Sequence, residues 1–167
     1  FRMIRSYSTV MMKRLEKEIT DMMTPAYGQS ELVKKLCAEF QTTDTCAVHV
    51  RGGDIVGPGR AFFERALARM EKERSGLRYL VFTNDREAAK EALEGEHTER
   101  KMTYISELGA FSDIDEFFLM AACRHQIISN SSYSTWAAYL NPNPEKVVIM
   151  PEYKGCEQIR LKEWIVL

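Results

Sequence analysis

The sequence predicts an α/β protein with a Rossmann-like parallel sheet that carries helices on its faces. Short apolar segments alternate with longer segments in which apolar residues recur at helical spacing. Most of the apolar segments lack a polar residue at every second position, which is typical of strands covered on both faces. Strand–helix–strand units repeated at this spacing form parallel sheets with right-handed crossovers.

Five short apolar segments are the predicted strands, and each is bounded by polar or turn-forming residues. They are residues 46–50, 77–83, 102–105, 126–129 and 146–150. The segments between and before them carry apolar faces at helical spacing and predict helices over residues 30–40, 61–74, 85–93, 114–123 and 131–140. Residues 1–44 are predicted to be a helical segment, a remnant of or linker from a missing lobe, and residues 45–167 the Rossmann-like domain.

Composition excludes several classes of function. The 167 residues carry 23 Lys and Arg against 24 Asp and Glu, a net charge of −1 that gives no general attraction to nucleic acid or anionic lipid. No apolar run approaches the roughly 18 to 20 residues of a membrane span. The four cysteines lack CxxC spacing, which argues against a structural zinc site.

The end of the first predicted strand carries the most distinctive local sequence, HVRGGD at residues 49–54. Ligands of open parallel sheets bind outside the carboxyl ends of the strands. Arg51, flanked by glycines that permit close approach, suits a bidentate grip on a diphosphate, or it forms an ion pair with Asp54 that braces a turn. His49 is either a satisfied core histidine or a contact to a ligand.

Two further loops at the same edge carry polar residues. Asp85 either caps the helix that follows it or accepts a hydrogen bond from a sugar hydroxyl. Asn130, Ser131 and Ser134 lie in a serine-rich stretch at a predicted helix start. These residues either cap the helix or, with the free N–H groups and positive pole of its dipole, bind phosphate. Neither a Walker loop nor a GxGxxG motif is present.

Three segments together resemble glycosyltransferase family 11, the α1,2-fucosyltransferases. Residues 49–54 (HVRGGD) are similar to the family's H-x-R-R-G-D motif, and residues 82–85 (FTND) to its F-S-D-D segment. Residues 115–141 (DEFFLMAACRHQIISNSSYSTWAAYLN) resemble its D-x-x-L-M-x-x-C-x-H-x-I-x-S-N-S-S/T-F-S-W-W-x-A-x-L-N block. The resemblance spans roughly residues 46–151.

The resemblance implies a donor-binding half of a GT-B-like enzyme. Such enzymes transfer L-fucose from GDP-fucose to the 2-hydroxyl of a galactoside, with inversion and without a metal or other cofactor. It assigns Arg51 to the diphosphate and the leaving group, and His49 and Asp54 to that loop, the nucleotide or the fucose. It assigns Asp85 to the guanosine or to bracing the site, and Asn130, Ser131 and Ser134 to the phosphates. No residue is assigned as the catalytic base.

The chain departs from the family pattern at Gly52, where the motif has its second arginine. Loss of a cation at the leaving group predicts either slow transfer or, as the alternative function, a relative that binds a sugar nucleotide without efficient transfer. If the site is otherwise intact, an arginine restored at residue 52 is expected to raise turnover. An unrelated Rossmann-like domain, such as a phosphatase or a nucleotide-binding module, is a third interpretation.

The resemblance also implies partners and a location. The expected partners are GDP-fucose and a galactose-terminated acceptor glycan, and any membrane contact is expected through a segment outside this chain. The expected location is the Golgi lumen with an anchor in the full-length parent. The alternative is the bacterial cytoplasm or the periphery of the inner membrane.

Overall fold

A computed structural model describes residue 18 and residues 29–53, 57–93 and 100–167. These residues form six parallel strands and five helices longer than one turn. The helices are α1 (Glu31–Thr42), α2 (Arg60–Glu73), α3 (Arg86–Leu93), α4 (Asp113–Ala122) and α5 (Ser132–Leu140). The strands are β1 (Thr45–Val50), β2 (Arg78–Thr83), β3 (Met102–Tyr104), β4 (His125–Ile127), β5 (Val148–Met150) and β6 (Ile165–Val166). Single 3-10 turns occur at Ile105–Glu107 and Cys156–Gln158.

The strands lie in the order β3-β2-β1-β4-β5-β6, and every neighbouring pair is parallel. This is the doubly wound order of Rossmann folds, so the predicted fold class is confirmed. β1 lies at the centre and pairs with β2 on one side and β4 on the other. The chain therefore adds β2 and β3 on one side of β1, and then crosses over to add β4, β5 and β6 on the other side. The strand order reverses at the boundary between β1 and β4.

Side chains of β1 alternate between two cores because successive strand residues face opposite sides of the sheet. Cys46, Val48 and Val50 pack with α2 on one face. Ala47 packs with α1, α4 and α5 on the other face. All six residues of the strand are buried, which explains why its sequence shows no polar alternation.

The described part of the predicted N-terminal segment belongs to this core. Val33, Leu36 and Phe40 of α1 are buried against α4 and its neighbours. Ser30 begins α1, and its hydroxyl accepts a hydrogen bond from the Val33 N–H at 3.3 Å. Residues 1–17 and 19–28 lie outside the described residues, so the helix predicted there and the boundary at residue 44 stay predictions.

The predicted elements match the observed ones except at the C-terminal edge of the sheet. Each of the five predicted strands and five predicted helices overlaps an observed element within a few residues. β6 is the difference: its two residues follow the buried Trp164 and pair with β5. A two-residue strand gives no periodic signal in the sequence.

Candidate functional site

The carboxyl ends of β1 and β4 form the point where the strand order reverses. The register pairs Val48 with Ile127. The segments that follow, which begin at Arg51 and at Ser129, therefore leave the sheet side by side. A crevice at such a reversal is the usual ligand site of open α/β sheets. The structure thus brings these two loops together. The third loop that the sequence singled out, after β2, contacts the first through two hydrogen bonds between Asn84 and Gly52.

His49 joins the two loops. Its Nδ1 lies 2.7 Å from the Ser129 hydroxyl, and its ring centroid lies 5.8 Å from that of Tyr133. Both His49 and Ser129 are buried. Burial, with a smaller effect from the charge of Arg51, lowers the pKa of His49 to about 4. His49 is therefore a neutral, hydrogen-bonded core residue at neutral pH, and it fixes the spacing of the two loops.

Arg51 follows β1 directly and is half-buried. Its charge contributes to the lowered pKa of His49. The alternative pairing of Arg51 with Asp54 stays a prediction because residues 54–56 lie outside the described residues.

The start of α5 differs from the starts of α1 and α4, which are capped by serine side chains. Ser30 and Ser112 each cap their helix with the side chain, and Ser112 forms a capping box with Asp115. Ser131 occupies the same position at α5 but makes no side-chain cap hydrogen bond. The first N–H groups of α5 therefore lack the side-chain acceptor that α1 and α4 have.

The hydroxyls around this helix start have different environments. Ser134 is fully buried, and its hydroxyl donates to the Ser131 carbonyl at 3.3 Å. Ser131 is 9% exposed and Asn130 is half-buried. Ser132, which the sequence interpretation did not assign, is the exposed serine of this turn. Its position at the first helical residue was its only sequence signal.

Asp85 caps α3. Its Oδ1 accepts from the Ala88 N–H at 3.0 Å, and its own N–H donates to the Thr83 hydroxyl at 3.0 Å. A cavity of about 550 Å³ opens beside it, lined by Arg60, Asp85, Glu87, Ala88, Lys90 and Glu91. Asp85 thus has a structural role and also borders a cavity within the size range of small-molecule sites.

Gly52 lies against the loop that follows β2. A Cβ at this residue would lie 2.5 Å from the Cβ of Asp85, closer than real side chains approach. Two hydrogen bonds also tie the Gly52 backbone to the Asn84 side chain, at 3.0 and 3.2 Å. An arginine at residue 52 does not fit this arrangement, so the expectation that it would raise turnover is replaced by the opposite one.

Asn84 is a second residue that the sequence interpretation passed over. Its signal was its place in the segment FTND, where the family pattern F-S-D-D has aspartate.

Within the described residues, no group of three or more His, Cys, Asp or Glu side chains lies close enough together to hold a metal ion. Independence from metal stays a prediction.

The chain is an α/β domain of doubly wound order, with Arg51 and a helix start that lacks a side-chain cap beside its topological switch point. Comparison of the sequence with family models gives the family. Residues 18–167 match glycosyl transferase family 11, and the chain belongs to this family.

A curated relative is the O-antigen biosynthesis glycosyltransferase WbnK of Escherichia coli. It is 28% identical over 151 residues, which cover 78% of this chain and 48% of the relative. The chain therefore spans about half the length of the relative. No solved structure matches the chain significantly.

The comparisons also bear on location. The relative is bacterial, which gives no support to the expected Golgi lumen and leaves the bacterial alternative open. Among the described residues, no helix has the length and hydrophobicity to cross a membrane.

Proposed function

We propose that this chain is the donor-binding part of an α1,2-fucosyltransferase. In this reaction L-fucose passes from GDP-fucose to the 2-hydroxyl of a galactose-terminated glycan, with inversion and without a metal. The bond from the fucose anomeric carbon to the β-phosphate oxygen breaks, and its electron pair leaves with GDP. The acceptor oxygen bonds to the opposite face of that carbon and loses its proton to a base.

One observation supports the proposal: Arg51 and the start of α5 follow the neighbouring strands β1 and β4, and the contact of His49 with Ser129 joins the two strand ends. The departing diphosphate gains negative charge, and a fixed guanidinium with free helix N–H groups stabilises such charge. Because the His49 ring is neutral, Arg51 is the side-chain cation that the proposal places at the diphosphate. Asn130, Ser131 and the exposed Ser132 would supply further donors.

The cavity beside Asp85 supports a place for the guanosine. It borders the loop after β2, one strand away from the proposed diphosphate position. Oδ1 of Asp85 is engaged by the Ala88 N–H, which leaves Oδ2 as the oxygen for a guanosine hydrogen bond. A nucleotide lying across β1 would then reach both the cavity and the switch point. The membership in glycosyl transferase family 11 supports transfer of a sugar as the reaction class.

GDP titration by calorimetry tests the proposal. Arg51→Ala is expected to weaken GDP binding about 10- to 100-fold, the effect of losing a charge-assisted hydrogen bond. Arg69→Ala is the matched control, because Arg69 is an exposed cation of α2 paired with Glu73. Equal GDP affinity in the wild type and Arg51→Ala would remove Arg51 from the site. Absence of GDP binding by the wild type would overturn the proposal itself.

A second candidate function is favoured by Gly52: a relative that binds the sugar nucleotide and transfers its sugar poorly. The close contact with Asp85 excludes the family's second arginine from this position. Turnover of GDP-fucose with β-galactoside acceptors, measured on the full-length protein, separates the two. GDP binding without fucose transfer would favour the second candidate.

A further inference from the structure

We propose that Asn84 is a positioning residue that clamps the backbone of Gly52 and thereby presents Arg51 to the crevice. The identity of the ligand rests on the proposed function, whereas the clamp itself rests on the contacts between the two loops. Nothing in the sequence resemblance assigns a role to this asparagine.

The clamp consists of both halves of one carboxamide. The Oδ1 of Asn84 accepts from the Gly52 N–H at 3.0 Å, and its Nδ2 donates to the Gly52 carbonyl at 3.2 Å. Only a side chain with a donor and an acceptor in this geometry satisfies both backbone groups. A carboxylate would keep the first bond and would place an anion against the carbonyl oxygen.

Other atoms pack closely against the backbone near Arg51, both at Gly52 and at Gly57. A Cβ at Gly52 would meet the Asp85 Cβ at 2.5 Å, and a Cβ at Gly57 would meet the Arg51 carbonyl oxygen at 2.7 Å. Gly53 has a φ of 83°, a conformation that favours glycine. The peptide that carries Arg51 therefore has a fixed position, and Asn84 is the side chain that bonds it to the loop after β2.

Both residues of the clamp depart from the family pattern. The motifs place arginine and aspartate where this chain has Gly52 and Asn84. The sum of formal charges at the two positions is the same in both cases. In this structure the two residues are in direct contact.

Asn143 provides a matched control. Its Nδ2 donates to the Arg124 carbonyl at 2.9 Å, and its Oδ1 accepts from the Glu145 N–H at 3.1 Å. Like Asn84, Asn143 uses a donor and an acceptor of its carboxamide, but it bonds two different residues. It lies in the loop between α5 and β5, at the end of the sheet where β5 begins. Comparison of Asn84→Ala and Asn84→Asp with Asn143→Ala and Asn143→Asp separates positioning from a general loss of stability.

The experiment measures GDP affinity, unfolding in urea and amide exchange on the full 167-residue chain. Both Asn84 variants are expected to bind GDP about tenfold more weakly, equivalent to roughly 1.4 kcal/mol. The Asn143 variants are expected to bind like the wild type at a comparable loss of stability. Exchange of the Gly52 amide is expected to accelerate in Asn84→Ala and to stay slow in Asn143→Ala.

The outcomes are distinguishable. Unchanged GDP affinity in Asn84→Ala would overturn the positioning role of Asn84. This holds even if Asn84→Asp binds GDP more weakly, because a loss of affinity confined to the aspartate variant is an effect of its charge. Unchanged exchange at Gly52 would overturn the clamp. A wild type that does not bind GDP would overturn the proposed function, while the exchange measurement would still decide whether the clamp exists.

Discussion

At the scale of single residues, Gly52 sits where two loops of the sheet edge touch. The space that a side chain would need is filled by the Cβ of Asp85. The sequence showed that an arginine of the family motif was missing, but only the tertiary structure shows that there is no room for it. The contact depends on how β1 and β2 place their following loops, which no local sequence pattern encodes.

Gly52→Arg is therefore expected to lower the free energy of unfolding by about 1–3 kcal/mol, the usual cost of overpacking. It is also expected to weaken GDP binding, because the displaced loop carries Arg51. Urea unfolding and calorimetry measure the two effects. Gly59→Ser is the control for stability, since a Cβ at residue 59 has no atom within 4 Å. A more active and equally stable Gly52→Arg would contradict this prediction.

At the scale of elements, the cap hydrogen bond at a helix start distinguishes a structural serine from a candidate ligand-binding serine. Ser112 caps α4 through its hydroxyl, whereas Ser131 at the start of α5 does not cap. The sequence presents both as serines before a helix and cannot separate them, because the difference lies in side-chain geometry.

Ser112→Ala is expected to lower the free energy of unfolding by about 1 kcal/mol and to leave GDP affinity unchanged. Ser131→Ala is expected to lower the free energy of unfolding by less than Ser112→Ala does, because its hydroxyl makes no cap hydrogen bond, and to weaken GDP binding. Thermal unfolding and GDP titration of the two variants form a reciprocal pair. An equal loss of stability in Ser112→Ala and Ser131→Ala would show that Ser131 also caps its helix.

Most elements could be predicted because their sequences carry a strong periodic or apolar signal. β1 and β2 are apolar runs that end in polar loops, and α2 shows its buried face at Phe62, Phe63, Ala66, Leu67 and Met70. The places of Arg51, Asp85 and Ser131 beyond the carboxyl ends of their strands could be predicted, because they follow from the strand boundaries. The contact of Asn84 with Gly52 and the exposure of Ser132 could not be predicted, because they depend on contacts between loops and on side-chain geometry within one turn.

At the scale of the whole molecule, two buried histidines make stability depend on pH. The pKa of His49 is lowered to about 4, chiefly by burial. The pKa of His125 is lowered to about 4 by burial and by the charges of Arg74 and Arg124, which Asp44 and Glu145 partly offset. Both residues are neutral in the native protein, whereas an unfolded histidine titrates near 6.5. Their contribution to stability is therefore complete above pH 6.5 and is lost as the pH falls toward 4.

His125→Asn tests this dependence away from the candidate site. The Nδ1 of His125 accepts from the Val147 N–H at 3.1 Å, and an asparagine oxygen can take over that bond. Urea unfolding at pH 7.5, 6.0 and 5.0 is expected to show a smaller loss of stability on acidification in the variant than in the wild type. Parallel curves for the two proteins would show that His125 titrates normally in the folded state.

The bond between His49 and Ser129 joins residues 80 positions apart in the chain. During synthesis, a nascent chain that ends before β4 holds the first three strands but has no partner for the open side of β1. Closure of so long a loop is entropically costly, and formation of such distant contacts slows folding. The switch point between β1 and β4 is therefore completed only after the second half of the sheet has docked, and a truncated translation product can have secondary structure yet lack the candidate site.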